Sequence, residues 1–316
     1  MMSRAEVAGR AGAAEGAAAA AQARAAAITT RPGRNSVTVS GIRDFNLDHI
    51  FDCGQCFRWA KQEDGSYTGI AMNRVVNMRM SGSDLVISGS DEADFENIWR
   101  PYLDLDRDYG EIKKILGNSD PVMKLAIGAG EGIRILKQDL WETIVSFIIS
   151  QNNNIPRIKG CVEKLAECFG EEIKLSESRA EGIPGASGRR WYCVPDAPTL
   201  AVLTAEDLAP VRLGYRTRYL VESARQVCEK GLPTNLAELT ELTGVGPKVA
   251  NCINLFGLGE FSSFPIDVWV KRVMHRLYGF EEKDVRGMTS FAQESFGDLG
   301  GIAQQYLFYY IRGLEA

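Results

Sequence analysis

Lys248 stands directly behind Leu242-Thr243-Gly244-Val245-Gly246-Pro247, and Asp267 lies downstream in Phe264-Pro265-Ile266-Asp267-Val268-Trp269-Val270. Gly244 and Gly246, on either side of Val245, predict a tight turn whose missing side chains let backbone amides approach a partner. Pro247 suits the first position of a helix. Val249, Ala250, Ile253 and Phe256 then recur at helical spacing as a buried face. The free N–H groups at such a helix start attract anions, phosphate above all. Lys248, in the first turn, meets the positive end of the helix dipole. Partial burial acts in the same direction. Both are expected to lower its pKa and make it an amine nucleophile able to form a Schiff base. The other reading of the same residue is a phosphate-contacting or solvated lysine. Asp267 precedes a predicted helix reaching Tyr278, with Val270, Val273, Met274 and Leu277 inward, and is its N-cap candidate. The dipole there is expected to hold the carboxylate ionised, able to stabilise developing positive charge. An amine, a carboxylate and a phosphate-binding turn together suit cleavage of a bond at a sugar carbon.

Other chemistries find less support. The two histidines, His49 and His275, give little basis for a histidine-centred metal site or triad. Cys53-Gly54-Gln55-Cys56 has metal or redox spacing, but it has no second such pair and no nearby histidine, so it does not complete a tetrahedral zinc site. Seven cysteines, an odd number, read as reduced thiols of a cytosolic protein, buried or in loops. The net charge of −5 argues mildly against a nucleic-acid partner. The local field matters more than the sum, and Arg212, Arg216, Arg218 and Arg225 cluster, as do Lys271, Arg272 and Arg276. Such clusters are also what a solvated face looks like.

The elements that must position these residues follow from the patterning. The chain of 316 residues fits one large or two ordinary domains, and 45% hydrophobic residues can bury a sizeable core. Residues 1–34 are Ala-rich with scattered Arg and read as a disordered tail; Glu6 and Glu15 weaken the alternative of a transit peptide. Residues 35–115 read as an antiparallel sheet domain. Val37 and Val39 alternate, and strands Tyr67–Ile70, Val75–Met80 and Leu85–Ser88 are separated by turn residues, with helices near 44–50 and 91–100. Residues 116–316 read as helical. Trp141, Ile144, Val145, Ile148 and Ile149 form one apolar helix, too short to span a membrane, that stops at Gln151. Pro156 opens the next. Residues 181–198 read as a Gly- and Pro-rich loop. Helices are predicted over Leu200–Pro210, Arg216–Lys230, Leu236–Leu242 and about 300–312. The fold class is α+β.

Several stretches in order carry a resemblance: Cys53–Trp59 (CGQCFRW), Ser150–Arg157 (SQNNNIPR), Leu213–Tyr219 (LGYRTRY), the hairpin LTGVGPKVANC with FPIDV, and Ala303–Phe308 (AQQYLF). They span roughly residues 40 to 310. Through them the chain resembles the helix-hairpin-helix glycosylase superfamily, and within it the 8-oxoguanine DNA glycosylase/AP lyase family. The resemblance implies a small antiparallel sheet domain packed on an all-α glycosylase domain. It implies that Lys248 attacks C1′ of the damaged nucleotide while Asp267 stabilises the cationic sugar, with β-elimination through the Schiff base. Gly54 would read the lesion through its carbonyl. Cys252, one helical turn after Lys248, and Phe308 would sandwich the flipped base, and Gln304, on the same helical face as Phe308, would bond its edge. Without the resemblance, Gly54 is a turn glycine and Phe308 a core ring.

A base must leave the duplex to be attacked. The resemblance assigns Asn152 to the gap, Tyr215 to a wedge, and Arg157 and Arg216 to the unpaired cytosine, whose acceptor edge matches the arginine fork. Gly244, Val245 and Gly246 would grip phosphate, and their carbonyls offer a possible cation site; no other cofactor is required. No cysteine follows Cys252, which excludes the iron–sulfur cluster of the endonuclease and adenine-mismatch branches. Trp269 departs from the histidine of the animal enzymes, so a phosphate contact there does not carry over. The expected partner is double-stranded DNA containing oxidised guanine, bound by a monomer in a nucleoid or a nucleus, with no membrane. The rivals are a monofunctional glycosylase for alkylated bases, which lacks the hairpin lysine, and a non-catalytic hairpin module that only grips DNA.

Overall fold

The protein is described by a computed structural model over residues 28–180, 182–186 and 188–315. Most of the expected tail lies outside the described residues. Its end does not stay a tail: Thr29–Pro32 form strand β1, paired with β2 (Ser36–Ser40). β3 (Trp59–Lys61), β4 (Tyr67–Ala71), β5 (Arg74–Ser81) and β6 (Asp84–Ser88) complete a sheet of order β1-β2-β6-β5-β4-β3. Every pairing is antiparallel. β1 carries no apolar alternation because it is an exposed edge, where Pro32 is tolerated. The β4–β5 connection uses Met72 and Asn73, both at positive φ (51° and 58°). That is the geometry a two-residue hairpin needs to match the strand twist.

One face of the sheet buries Val37, Val39, Met78 and Ile87 against helix α1 (Leu47–Phe51) and the helical stretch Glu92–Tyr102, through Phe51 and Trp99. The other face is covered too. Ile70 and Val75 pack against Ile183, Ala186 and Trp191. The stretch read from sequence as a plain loop is therefore a lid on the sheet, and β4 is buried along its whole length. Gly182, Gly185 and Gly188 there all take positive φ (89°, 72° and 76°), turns that glycine makes without strain.

The helical body contains α2 (Tyr109–Ser119), α3 (Pro121–Ala129), α4 (Leu140–Ser150), α5 (Ile155–Phe169), α6 (Arg216–Lys230), α7 (Leu236–Glu241), α8 (Pro247–Ile253), α9 (Val268–Tyr278), α10 (Val285–Phe296) and α11 (Gly300–Glu315). α4 is the centre of this body. Asp139 caps it through the Glu142 N–H at 2.8 Å, and Ile144, Val145, Phe147, Ile148 and Ile149 are all buried. Each such side chain contributes roughly 1.5–3 kcal/mol by leaving water. The helix expected over 200–210 is instead a short α-helix, Ala197–Ala201, followed by a 3-10 helix at Ala209–Val211. Asp196 caps the earlier start at the Thr199 N–H, and the Asp207 carboxylate takes both the N–H and the hydroxyl of Thr204. Those local bonds compete with a continuous helix.

Two buried arginines fasten the sheet domain to this body. Arg134 donates to the carbonyls of Arg43 (2.7 Å), Asp44 (3.1 Å) and Asp104 (2.7 Å). Arg58, its side chain 1% exposed, donates to Glu163 on α5 at 2.8 Å and to the Tyr192 carbonyl at 2.6 Å, with Glu142 of α4 at 3.7 Å. Burial pushes the Glu142 carboxyl up to about 7, although Arg58 pulls it back.

Candidate active site

Gly244 of the hairpin has φ +80°, and the ring of Tyr219 lies where a β-carbon would stand, so both the conformation and the space require glycine. Gly246 starts α8 with no side-chain cap, and Pro247 occupies the first turn, as the sequence predicts. Val245 is buried and anchors the turn, its N–H donating to the Leu242 carbonyl at 3.0 Å. Across the site, Asp267 caps α9 by accepting from the Val270 N–H at 2.8 Å.

Lys248 and Asp267 face one cavity of about 380 Å³ between the sheet domain and the helical body. Gly54, Cys252, Gln304 and Phe308 line it as well. Six of the residues singled out from sequence thus converge from four separate parts of the chain. The Lys248 ammonium stands 5.7 Å from the centre of the Phe147 ring, with Cys252 one helical turn further along α8. Gln304 is buried, and its side-chain carbonyl oxygen has no partner among the described residues. A buried acceptor without a partner costs free energy, which a ligand donor would recover.

The electrostatics differ from the sequence expectation in both charged groups. The Lys248 ammonium is held above the ordinary lysine range, by its electrostatic pairing with Cys252 first and with the Asp267 carboxylate after it, against a desolvation that pulls it down. The dipole and burial argument left out both neighbours: Cys252, one helical turn away on α8, and Asp267, which the tertiary structure brings close. Asp267 lies above the ordinary carboxylate range, raised by burial, with the Val270 N–H and Lys248 pulling it back. The Cys252 thiol is pushed up by burial and drawn back by Lys248. The resting site therefore holds a lysine cation opposite a buried carboxyl.

The residues expected to meet DNA outside the cavity form a second group. Asn152 has φ +46°, while its neighbours Asn153 and Asn154 bond the Ile149 carbonyl (3.1 Å) and cap α5 at the Arg157 N–H (3.0 Å). The Tyr215 side chain is half exposed, and its hydroxyl donates to the Gln151 carbonyl at 3.3 Å. The two arginines are not equivalent. Arg157 is exposed, with one bond to the Arg212 carbonyl at 3.3 Å. Arg216 is buried and donates to the carbonyls of Gln151 (Nε, 2.8 Å), Asn152 (2.9 Å) and Leu213 (3.2 Å), with a further short contact from its Nη2 to Gln151. Its fork, expected to hold a base, also shapes the turn that presents Asn152.

Sequence reasoning missed several cavity residues. Phe147 lies on α4, where burial on nearly every side hides any preferred face. Arg312 of α11 sits 5.4 Å from the Phe308 ring centre and donates to the Asp52 carbonyl at 2.9 Å. Trp269 lines the cavity beside Asp267, with the Arg272 guanidinium 4.7 Å from its ring.

Residues 38–144 match the family described as 8-oxoguanine DNA glycosylase, N-terminal domain, and residues 145–296 match the HhH-GPD superfamily of base excision DNA repair proteins. Among solved structures, MBOgg1 in complex with a low-affinity DNA ligand is 43% identical with a TM-score of 0.84, covering 92% of this chain and 99% of that one. The 8-oxoguanine glycosylase/lyase of Clostridium acetobutylicum, bound to double-stranded DNA with cytosine opposite 8-oxoguanine, is 40% identical with a TM-score of 0.83, covering 92% and 98%. The N-glycosylase/DNA lyase of Saccharomyces cerevisiae is 32% identical over 169 residues, which are 47% of this chain and 42% of the yeast protein.

Proposed function

The chain belongs to the 8-oxoguanine DNA glycosylase family of the HhH-GPD base excision repair superfamily, and from that premise we propose the parts its residues take in the reaction. The activity is that of a DNA glycosylase and lyase acting on 8-oxoguanine opposite cytosine. The observation that carries the residue assignment is the convergence of Lys248 and Asp267 on one cavity that Gln304 and Phe308 also line.

Lys248, once it loses its proton, attacks C1′. The N–C1′ bond forms as the bond to the base breaks, and the departing base takes up a proton. Opening of the sugar ring gives the Schiff base. Removal of a C2′ proton then expels the 3′ phosphate. Asp267 holds negative charge beside C1′ as the sugar becomes cationic; in a buried site this is worth more than in water. Gln304 accepts from the donors on the pyrimidine edge of the base, and Phe308 and Cys252 take its two faces. Gly54 presents its carbonyl to N7–H, a donor that 8-oxoguanine has and guanine lacks. Gly244, Val245 and Gly246 approach phosphate through backbone. Asn152 and Tyr215 occupy and wedge the gap, and Arg157 reads the estranged cytosine.

The test is borohydride trapping with a duplex containing 8-oxoguanine opposite cytosine. The wild-type protein cross-links, and Lys248→Gln binds the duplex without cross-linking. A glutamine variant that traps at the wild-type rate removes Lys248 from the mechanism.

A further inference from the structure

Gly54 presents a physical difficulty. Its φ of +77° and the Phe308 ring, 3.2 Å from where a β-carbon would stand, require glycine. Yet glycine is the residue whose own dihedrals constrain a carbonyl least. A carbonyl that must distinguish a donor from a lone pair has to be aimed, and Gly54 cannot aim it alone.

The neighbouring peptides supply what the glycine lacks. The carbonyl before it, on Cys53, accepts from Gln305 Nε2 at 2.7 Å. The carbonyl after it, on Gln55, accepts from Gln138 Nε2 at 2.7 Å. The Gln55 side chain is itself fully buried and tied at both ends: its oxygen accepts from the Leu136 N–H at 2.9 Å, and its nitrogen donates to the carbonyls of Ile50 and Arg134 at 2.9 and 2.8 Å. Along Asp52–Gln55 the carbonyl of Gly54 alone has no hydrogen-bond partner among the described residues. It is left free at the cavity, between two fixed peptides.

We propose that Gln138 and Gln305 are positioning residues for lesion recognition: one from each side, they fix the peptides that flank Gly54 and so aim its free carbonyl at the base. This rests on the reading of Gly54 as the group that meets N7–H. Gln305 also borders the cavity, but Gln138 does not. An effect of Gln138 on base choice must therefore pass through the loop rather than through contact with the base.

The test measures binding of Lys248→Gln protein to two duplexes, one with 8-oxoguanine and one with 7-deaza-8-oxoguanine, which keeps the C8 oxygen and lacks the N7–H donor. The parent is expected to prefer 8-oxoguanine by roughly tenfold, the value of one buried hydrogen bond. Adding Gln138→Leu should lower that preference at least threefold by weakening binding of 8-oxoguanine while leaving the analogue unchanged. Gln305→Leu should act in the same direction. Should a leucine variant fail to fold, Gln138→Asn, whose amide falls short of the Gln55 carbonyl, replaces it. In protein with Lys248 intact, trapping on an abasic duplex, which offers no base to read, should stay at the parental rate in the Gln138 variants. A parent that binds both duplexes equally overturns the Gly54 reading itself. A parent that discriminates, with Gln138 and Gln305 variants that discriminate equally well, overturns the positioning role alone. Equal loss on both duplexes and on abasic DNA does the same, since it marks general damage to the fold.

Discussion

The contrast between Arg157 and Arg216 gives opposite expectations for two chemically identical substitutions. Arg157 is exposed and makes one bond, 3.3 Å to the Arg212 carbonyl, so most of its five donors face outward. Cytosine offers two adjacent acceptors to that fork. Adenine offers one acceptor beside an amino donor, so it forfeits one charge-assisted bond. Such a bond is worth about 1.5–3 kcal/mol, so wild-type protein should prefer cytosine over adenine opposite the lesion by roughly ten- to a hundredfold. Arg157→Ala should bring the ratio of single-turnover rates close to unity while changing stability by less than about 0.5 kcal/mol, as exposed substitutions do. Arg216→Ala strands the carbonyls of Gln151, Asn152 and Leu213, each at about 1–3 kcal/mol until water reaches it. It should therefore lower the denaturation midpoint clearly and slow excision opposite both bases alike. The assay is single-turnover excision opposite C and A, with guanidinium melts of the same preparations. An unchanged C-to-A ratio in Arg157→Ala, or a loss confined to cytosine with normal stability in Arg216→Ala, refutes the division of roles.

Three further outcomes can be measured. Phe308→Ala should weaken binding of lesion duplex by about 1–3 kcal/mol, the value of a base–aromatic stack, with undamaged duplex nearly unaffected in gel-shift titration. Burial raises Asp267 above its ordinary value of 3.8, and the reaction needs it ionised; the acid limb of the single-turnover rate should therefore lie above pH 3.8, and Asp267→Asn should remove the fast step at every pH. The Glu142 carboxyl, at 4.5 unfolded and about 7 folded, binds its proton more tightly in the native state. Its contribution is thus complete below about pH 4.5 and lost as pH rises through 7. Glu142→Gln should match wild type near pH 4.5 and exceed it by up to about 3 kcal/mol at pH 8 in urea melts; a difference independent of pH would contradict the shift.

How far the sequence reached depends on the range of each cause. The hairpin and the Asp267 cap are local, made of a glycine turn, a proline and a capping carboxylate, and the structure has them where spacing put them. The three asparagines behave as short polar residues at a helix junction do. What escaped was set by distant chain. The cover over Ile70 and Val75 comes from beyond residue 170, and a Gly- and Pro-rich run gives no sign of what it covers. Of the two groups that set the charge state of Lys248, Asp267 comes from a separate element, while Cys252, one helical turn away, was within reach of a local reading. The occupation of Arg216 turns on carbonyls far along the chain, and carbonyls leave no mark in a sequence. The helix expected at 200–210 failed for a reason that was visible, since Thr204 and Asp207 were there to form a competing turn.

The cavity wall comes from both parts of the molecule, but not with equal content. Lys248 and Asp267 belong to the helical body, while Gly54 belongs to the sheet domain and is aimed from α4's approach segment and from α11. The helical body thus carries the charged pair together with Cys252, Gln304 and Phe308, and the sheet domain adds the one free carbonyl. Substitutions between Cys53 and Arg58, or at their anchors, can drift toward another damaged base while the hairpin keeps its chemistry intact.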